Sequence, residues 1–287
     1  MEYRVLVWPM LALSLVSGCS GGGNTYYVPA TGGGAGTPGT GGSPNSGGSA
    51  QGGSGAGSGG DAGSSAGSGP GGSAGAGGTG GAQIGCASEL VIDDLEDGDS
   101  VICPARSGGW YVAVQEGSGT ALPSPGTVIT ATPIADRAGS SYAMSFSGSG
   151  FDGPDHWAIL ALSVNGNGPY DASAFSGIRF WGKSTSGGSV VLRVAFPTLA
   201  STAQTFAGTC VPVNDLQCGD HYLASRTLAN VWQQYEVYFP NDLAQVGWGV
   251  PVAKDLAYLM SIEFGYQSSD NANAGSFAFI IDDVTFY

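Results

Sequence analysis

From about residue 86 to Tyr287, apolar side chains alternate with polar ones in short runs, the period-two signature of strands that bury one face. The runs at 91–96, 142–147, 156–164, 177–183, 189–196, 232–239, 260–266 and 277–287 are rich in Val, Ile, Phe, Tyr and Trp. Turns rich in Gly, Asn, Asp and Pro separate them, and no segment carries a convincing amphipathic helical period. Such a series predicts one all-β domain over 86–287, an antiparallel β-sandwich of the jelly-roll kind.

Upstream of that domain the alternation disappears. Residues 20–85 are almost entirely Gly, Ser, Ala, Thr and Pro, with Asp61 as the only charge, and cannot bury enough apolar surface to offset chain entropy. Read as a glycine-rich coil of about 65 residues, the stretch spans roughly 45 Å, from about 5–6 Å times the square root of its length. Gly71-Gly72-Ser73-Ala74-Gly75 fits the G-x-S-x-G nucleophile pattern, but no strand pattern precedes it and no helical pattern follows, so the match is compositional.

At 1–18, Arg4 precedes an apolar run over 5–16 that is too short to span a bilayer, as in a signal peptide. Val16-Ser17-Gly18-Cys19 resembles the bacterial lipobox, whose cysteine is diacylated and becomes the mature N-terminus. Ser20 resembles the residue that permits export to an outer membrane. The resemblance implies a membrane anchor at Cys19, a tether over 19–85, and a place at the outer membrane or cell surface of a Gram-negative bacterium.

Charge and cysteine usage narrow the classes of partner. With 22 acidic against 8 basic residues, the net charge of −14 opposes nucleic-acid or anionic-membrane surfaces and suits cations or neutral ligands. Setting Cys19 aside leaves Cys86, Cys103, Cys210 and Cys218, an even number that in an oxidising compartment predicts two disulfides. Of three possible connectivities, Cys86–Cys103 with Cys210–Cys218 needs the smallest loops. A zinc site is the competing reading, but paired C-x-x-C spacing is absent and the only histidines are His156 and His221.

The first strand and the turn after it concentrate five carboxylates, Asp93, Asp94, Glu96, Asp97 and Asp99, in seven positions, and the closing strand carries Asp282 and Asp283. Terminal strands of a jelly roll commonly lie side by side, which would bring the two acidic clusters together. A hard cation with six to eight oxygen ligands, calcium outside the cell, would neutralise them. Period two places Asp94 and Glu96 on one face and Asp282 on a face with Val284 and Phe286, making Asp94, Glu96 and Asp282 the candidate ligands of a structural calcium. The alternative is that these acids are solvated strand ends, and the EF-hand spacing is absent.

Ile92-Asp93-Asp94-Leu95-Glu96, Phe175-Ser176-Gly177-Ile178-Arg179-Phe180-Trp181-Gly182-Lys183, Trp232-Gln233-Gln234-Tyr235 and Ile281-Asp282-Asp283-Val284-Thr285-Phe286 together resemble galactose-binding-like jelly rolls. The combination is most similar to family 11 carbohydrate-binding modules and to the domain of complex I intermediate-associated proteins. That resemblance covers essentially all of 86–287. It implies a sandwich with a structural calcium and a concave face that accepts a glycan chain.

Sugar binding needs flat aromatic faces against the C–H face of a pyranose and polar groups for its hydroxyls. Trp157, Tyr222 and Tyr235 are the candidate stacking platforms, with Asp220 and His221 beside them, and alternation lets Arg193 and Glu263 project from one sheet surface. Each has a plainer reading as core or surface pair, and Tyr235 shares a face with Val237 and Phe239. The expected function is non-catalytic polysaccharide binding by a monomeric domain. Two alternatives stand beside it: a structural or adhesion lipoprotein with a protein partner, and a glycoside hydrolase. Against the last, an E-x-D-x-x-E strand is missing and no serine sits in a nucleophile-elbow context.

Overall fold

The computed structural model describes residues 88–287 except 104, 105, 167 and 272–274. Cys19, Cys86, the signal-peptide segment and the glycine-rich stretch lie outside the described residues. Twelve strands form among those described: β1 (Val91–Asp93), β2 (Gly109–Val114), β3 (Thr120–Leu122), β4 (Thr132–Pro133), β5 (Tyr142–Phe151), β6 (Trp157–Ser163), β7 (Gly177–Ser184), β8 (Val190–Phe196), β9 (Tyr222–Leu228), β10 (Gln233–Tyr238), β11 (Ser261–Gln267) and β12 (Gly275–Phe286). All eight expected strands are present within a few residues of their expected ends. β2, β3, β4 and β9 are additions.

The strands build two antiparallel sheets, so the fold is an all-β sandwich. One sheet has the order β10-β7-β12-β5-β3, with β1 added to β12 and β4 to β5; the other has the order β2-β6-β11-β8-β9. The terminal strands do lie side by side, with Val91 opposite Thr285 and Asp93 opposite Val284. Alternation supplies the core from both sheets: Ile178 and Phe180 from β7, Phe277, Phe279 and Ile281 from β12, Leu192 and Val194 from β8, and Ile262, Phe264 and Tyr266 from β11. Phe264 links the layers, its ring centroid 6.0 Å from Trp110 on its own sheet and 5.1 Å from Phe180 on the other. Truncating such a side chain costs about 3–5 kcal/mol.

Two departures from simple alternation matter for the acidic clusters. β1 stops at Asp93, whose carboxylate accepts Leu95 N–H at 3.0 Å while Leu95 itself turns to φ 62° and buries completely. Asp94 and Glu96 therefore belong to a turn and not to one strand face, as period two had suggested. In β12 the pairing with β7 shifts register between Asp282 and Thr285, and Asp283 adopts φ 46°. The extra residue reverses the phase. Val284 and Phe286 join the core, whereas Asp282 pairs with Trp181 on the outer side, which corrects the expectation that the three share a face.

Candidate functional site

Because Ile262, Phe264 and Tyr266 of β11 point into the core, Ser261, Glu263, Gly265 and Gln267 take the outer side of the five-stranded sheet. Register then sets Glu263 between Ala161 of β6 and Ala195 of β8, with Tyr111 and Leu223 in the same row on β2 and β9. Two alanines flanking a carboxyl leave a depression over the middle of the sheet. Its walls come from the long β8–β9 connection, 197–221, and from residues 245–249. Cys210 and Cys218 form a disulfide in that connection, their Cα atoms 5.9 Å apart. This is one of the two expected pairings. For the other, Cys103 is buried and Cys86 lies outside the described residues.

Two hollows of about 620 and 640 Å³ adjoin here, sharing Gln217, Cys218, Gly219, His221 and Glu263 as lining. The first extends toward Tyr111 and Phe206, the second toward Trp157, Arg193 and Trp248. They meet along these shared residues. Trp157, Arg193, Asp220, His221 and Glu263, all singled out from the sequence, line the second hollow. They do different things there.

Glu263 is part-buried, and loss of water raises its carboxyl to about 8 against the opposing hydrogen bond from Ser261. Burial likewise lowers the His221 imidazole to about 4, with the Asp220 charge opposing, and its Nδ1 lies 2.8 Å from Ser201 Oγ. At neutral pH Glu263 therefore keeps its proton and His221 lacks one. Both are uncharged, while Asp155, Arg193 and Asp220 also line the second hollow.

Arg193 does not pair with Glu263. Its Nε and Nη2 donate to the two carboxylate oxygens of Asp270 at 2.5 and 2.9 Å, and its Nη1 to Gln267 Oε1 at 3.2 Å. The guanidinium is fixed along the cleft wall by a bidentate fork. Asp220 is 3% exposed and its carboxylate is taken up by backbone, accepting the N–H groups of Val246 at 2.9 Å, Gly247 at 2.7 Å and Gly249 at 3.2 Å. It braces a loop.

Two of the candidate tyrosines are not brought to the cleft. Tyr222 packs against the core and donates its hydroxyl to the Val252 carbonyl at 2.8 Å. Tyr235 stacks on Phe180 with ring centroids 5.5 Å apart, and its hydroxyl accepts Ala229 N–H at 3.0 Å, following the face it shares with Val237. The cleft-lining residues that sequence reasoning missed are Tyr111, Gln115, Asp155, Gln217 and Trp248. One signal was available: a tryptophan between two glycines is poorly suited to strand packing.

The acidic clusters at the terminal strands do converge. Ser140 Oγ lies 2.7 Å from both Glu96 Oε1 and Asp282 Oδ2, and Ser141 N–H donates to Glu96 Oε1 at 2.9 Å. Burial would raise the Glu96 carboxyl, but these N–H and O–H donors hold it below its ordinary value. Burial raises Asp94, helped by Asp283 and Glu96, and lifts Asp282 to about 6 despite the Ser140 hydrogen bond and the Arg137 charge. A cation already stands at the junction. Arg137 forks onto Asp282 and Asp283, with its guanidinium 4.8 Å from the Trp181 ring centroid and 5.9 Å from that of Trp232. Among the described residues no group of three His, Cys, Asp or Glu side chains is disposed to hold a metal ion. Of the three expected calcium ligands, Glu96 is engaged by Ser140 and Ser141, and Asp282 by Ser140 and Arg137.

No helix among the described residues is long and apolar enough to cross a membrane. No family model matches the chain, and no curated protein matches it well enough to count as a relative. Some solved structures are similar to it. A family 11 carbohydrate-binding module from Clostridium thermocellum in complex with a β-1,3-1,4-mixed-linked tetrasaccharide is 19% identical with a TM-score of 0.43, over 69% of this chain and 94% of that one. The family 11 module of a cellulosomal cellulase of Clostridium thermocellum is 19% identical with a TM-score of 0.42, over 68% of this chain and 92% of that one. An exo-β-agarase is 14% identical with a TM-score of 0.42, over 69% of this chain and 25% of that one. The family named from the sequence is among these similar structures.

Proposed function

We propose that residues 88–287 form a non-catalytic polysaccharide-binding domain whose site is the cleft on the five-stranded sheet, carried at a cell surface on the glycine-rich, lipobox-bearing N-terminal stretch. The observation that carries this reading is the cleft floor. Desolvation leaves Glu263 protonated and His221 neutral at pH 7, so these two offer hydrogen bonds without charge, and Trp157 and Trp248 line the same hollow. A neutral ligand covered in hydroxyl groups suits that surface. The adjoining hollows favour an extended chain over a single ring.

Catalysis by two carboxylates is disfavoured by the state of Asp220, whose oxygens are held by three N–H groups. The test is affinity electrophoresis of the full chain in gels containing mixed-linked β-glucan, xylan, mannan or agarose, together with a reducing-sugar assay on the same polymers. Retardation by at least one polymer without sugar release is the expected result. Lack of retardation by any of them ends the proposal.

A further inference from the structure

Trp248 is 49% exposed at the rim of the cleft, whereas the other described tryptophans, at 110, 157, 181 and 232, are buried or part-buried. An exposed aromatic is ordinary in itself. What sets this one apart is the rigidity of its mount. The backbone on both sides of the indole is tied to the single carboxylate of Asp220. Gln245 adds a second set of ties: its amide donates to the Asp220 carbonyl at 2.6 Å and to the Val250 carbonyl at 3.2 Å, and it accepts Val252 N–H at 3.1 Å. Val250 N–H donates to the Gln217 carbonyl at 2.9 Å, joining the loop to the disulfide-closed segment 210–218.

The flanking glycines are required by this geometry. Gly247 has φ +100°, a region that side chains disfavour, and a Cβ on Gly249 would stand 2.5 Å from Asp220 Cβ. On the cleft side the indole lies close to bare backbone, for a Cβ built on Gly219 would meet Trp248 Cη2 at 3.4 Å. A buried carboxylate, an amide and two glycines thus fix the backbone that carries a large flat ring at the edge of a polar cleft. Ordering a side chain before the ligand arrives lowers the entropic cost of stacking.

We propose that Trp248 is a stacking platform for a pyranose ring at the cleft rim and that Asp220 is the residue that positions it. This rests on the carbohydrate-binding reading and assigns to Asp220 a role different from the direct sugar contact expected of it.

The experiment measures retardation of the full chain in the four polysaccharide gels for wild type, Trp248→Ala, Trp248→Phe, Asp220→Ala, Asp220→Asn and the double variant Trp248→Ala/Asp220→Ala. Trp248→Ala is expected to weaken binding by about tenfold, the scale of an interface anchor, and Trp248→Phe to keep most of it. Asp220→Ala should approach the loss of Trp248→Ala, Asp220→Asn should recover part of it, and the double variant should bind no more weakly than Trp248→Ala. A purely structural Asp220 would instead give losses that add and that follow the fall in melting temperature. If wild type is retarded and Trp248→Ala is retarded equally, this inference fails while the carbohydrate reading stands. If wild type is retarded by none of the four polymers, both fail.

Discussion

The outer sides of the two sheets treat aromatic and charged side chains in opposite ways. On the seven-stranded sheet, Trp181 and Trp232 lie against cations that are themselves paired. Arg137 binds Asp282 and Asp283; Lys183 binds Asp136 and lies 5.3 Å from the Trp232 ring centroid; Trp232 Nε1 donates to Asp136 Oδ1 at 3.0 Å. On the five-stranded sheet, Glu263 and His221 meet their loss of water with no ion-pair partner, and both respond by becoming neutral. A face built from ion pairs around its aromatic rings holds the fold together, while a face that carries neutral, desolvated titratable groups has something to offer a ligand.

Arg137→Met tests the first half of the contrast and should have the largest effect. Asp282 is fully buried, and removing one partner of a buried pair costs about 3–5 kcal/mol, read as a lower midpoint in chemical denaturation. Treating the wild-type domain with a chelator should leave its melting temperature unchanged. A large fall would restore calcium to the terminal-strand junction and undo the role assigned to Arg137.

The pH dependence of stability tests the second half. The Glu263 carboxyl is raised from 4.5 to about 8 on folding, so the folded state binds more protons in that window and loses stability as pH rises through it. The His221 imidazole is lowered from 6.5 to about 4, so its contribution is present above 6.5 and is lost as pH falls toward 4. Melting temperature should decline between about pH 6.5 and 8, and Glu263→Gln should flatten that decline. An identical slope in the variant would mean that Glu263 is ionised at neutral pH and that the cleft floor is charged.

Next in size is the Cys210–Cys218 disulfide. Replacing both cysteines with serine should cost about 2 kcal/mol through the entropy of the short loop. Because the cleft wall and the Trp248 loop depend on this segment, binding should weaken as well, measured by the same gel retardation. The smallest effect belongs to Arg179 and Glu236, which pair on the exposed side of the seven-stranded sheet with side chains 42% and 53% exposed. Arg179→Ala should change stability by less than about 1 kcal/mol, as solvated pairs do. An effect as large as that of Arg137→Met would mean that burial does not separate the two kinds of ion pair.

How much of this was legible in the amino-acid order depended on the range of the interaction involved. Strands such as β7 and β11 were readable because period-two burial is a local geometric fact, and it assigned Ile178 and Phe180 inward and Glu263 and Arg193 outward. The same period misled at Asp94 and at Asp282, where a tight turn after Asp93 and a bulge at Asp283 shift the phase, and neither involves a glycine that would announce it. β2 and β9 escaped notice because Gly-Trp-Tyr-Val-Ala-Val and Tyr-Leu-Ala-Ser-Arg-Thr-Leu alternate weakly.

Alternation, composition and cysteine count were enough to set an all-β domain behind a glycine-rich stretch, the side of each sheet on which most residues lie, and the Cys210–Cys218 pairing. These follow from forces between residues close along the chain or from bulk burial of apolar surface. The partner of each charge came only with the folded chain. Arg137 reaches Asp282 across 145 positions, Arg193 chooses Asp270 over Glu263, and Asp220 holds a loop 26 to 29 positions away instead of facing a ligand. Such partnerships are settled by distances of a few ångströms between side chains remote in sequence, and the desolvation that makes Glu263 and His221 neutral exists only once both walls of the cleft are in place.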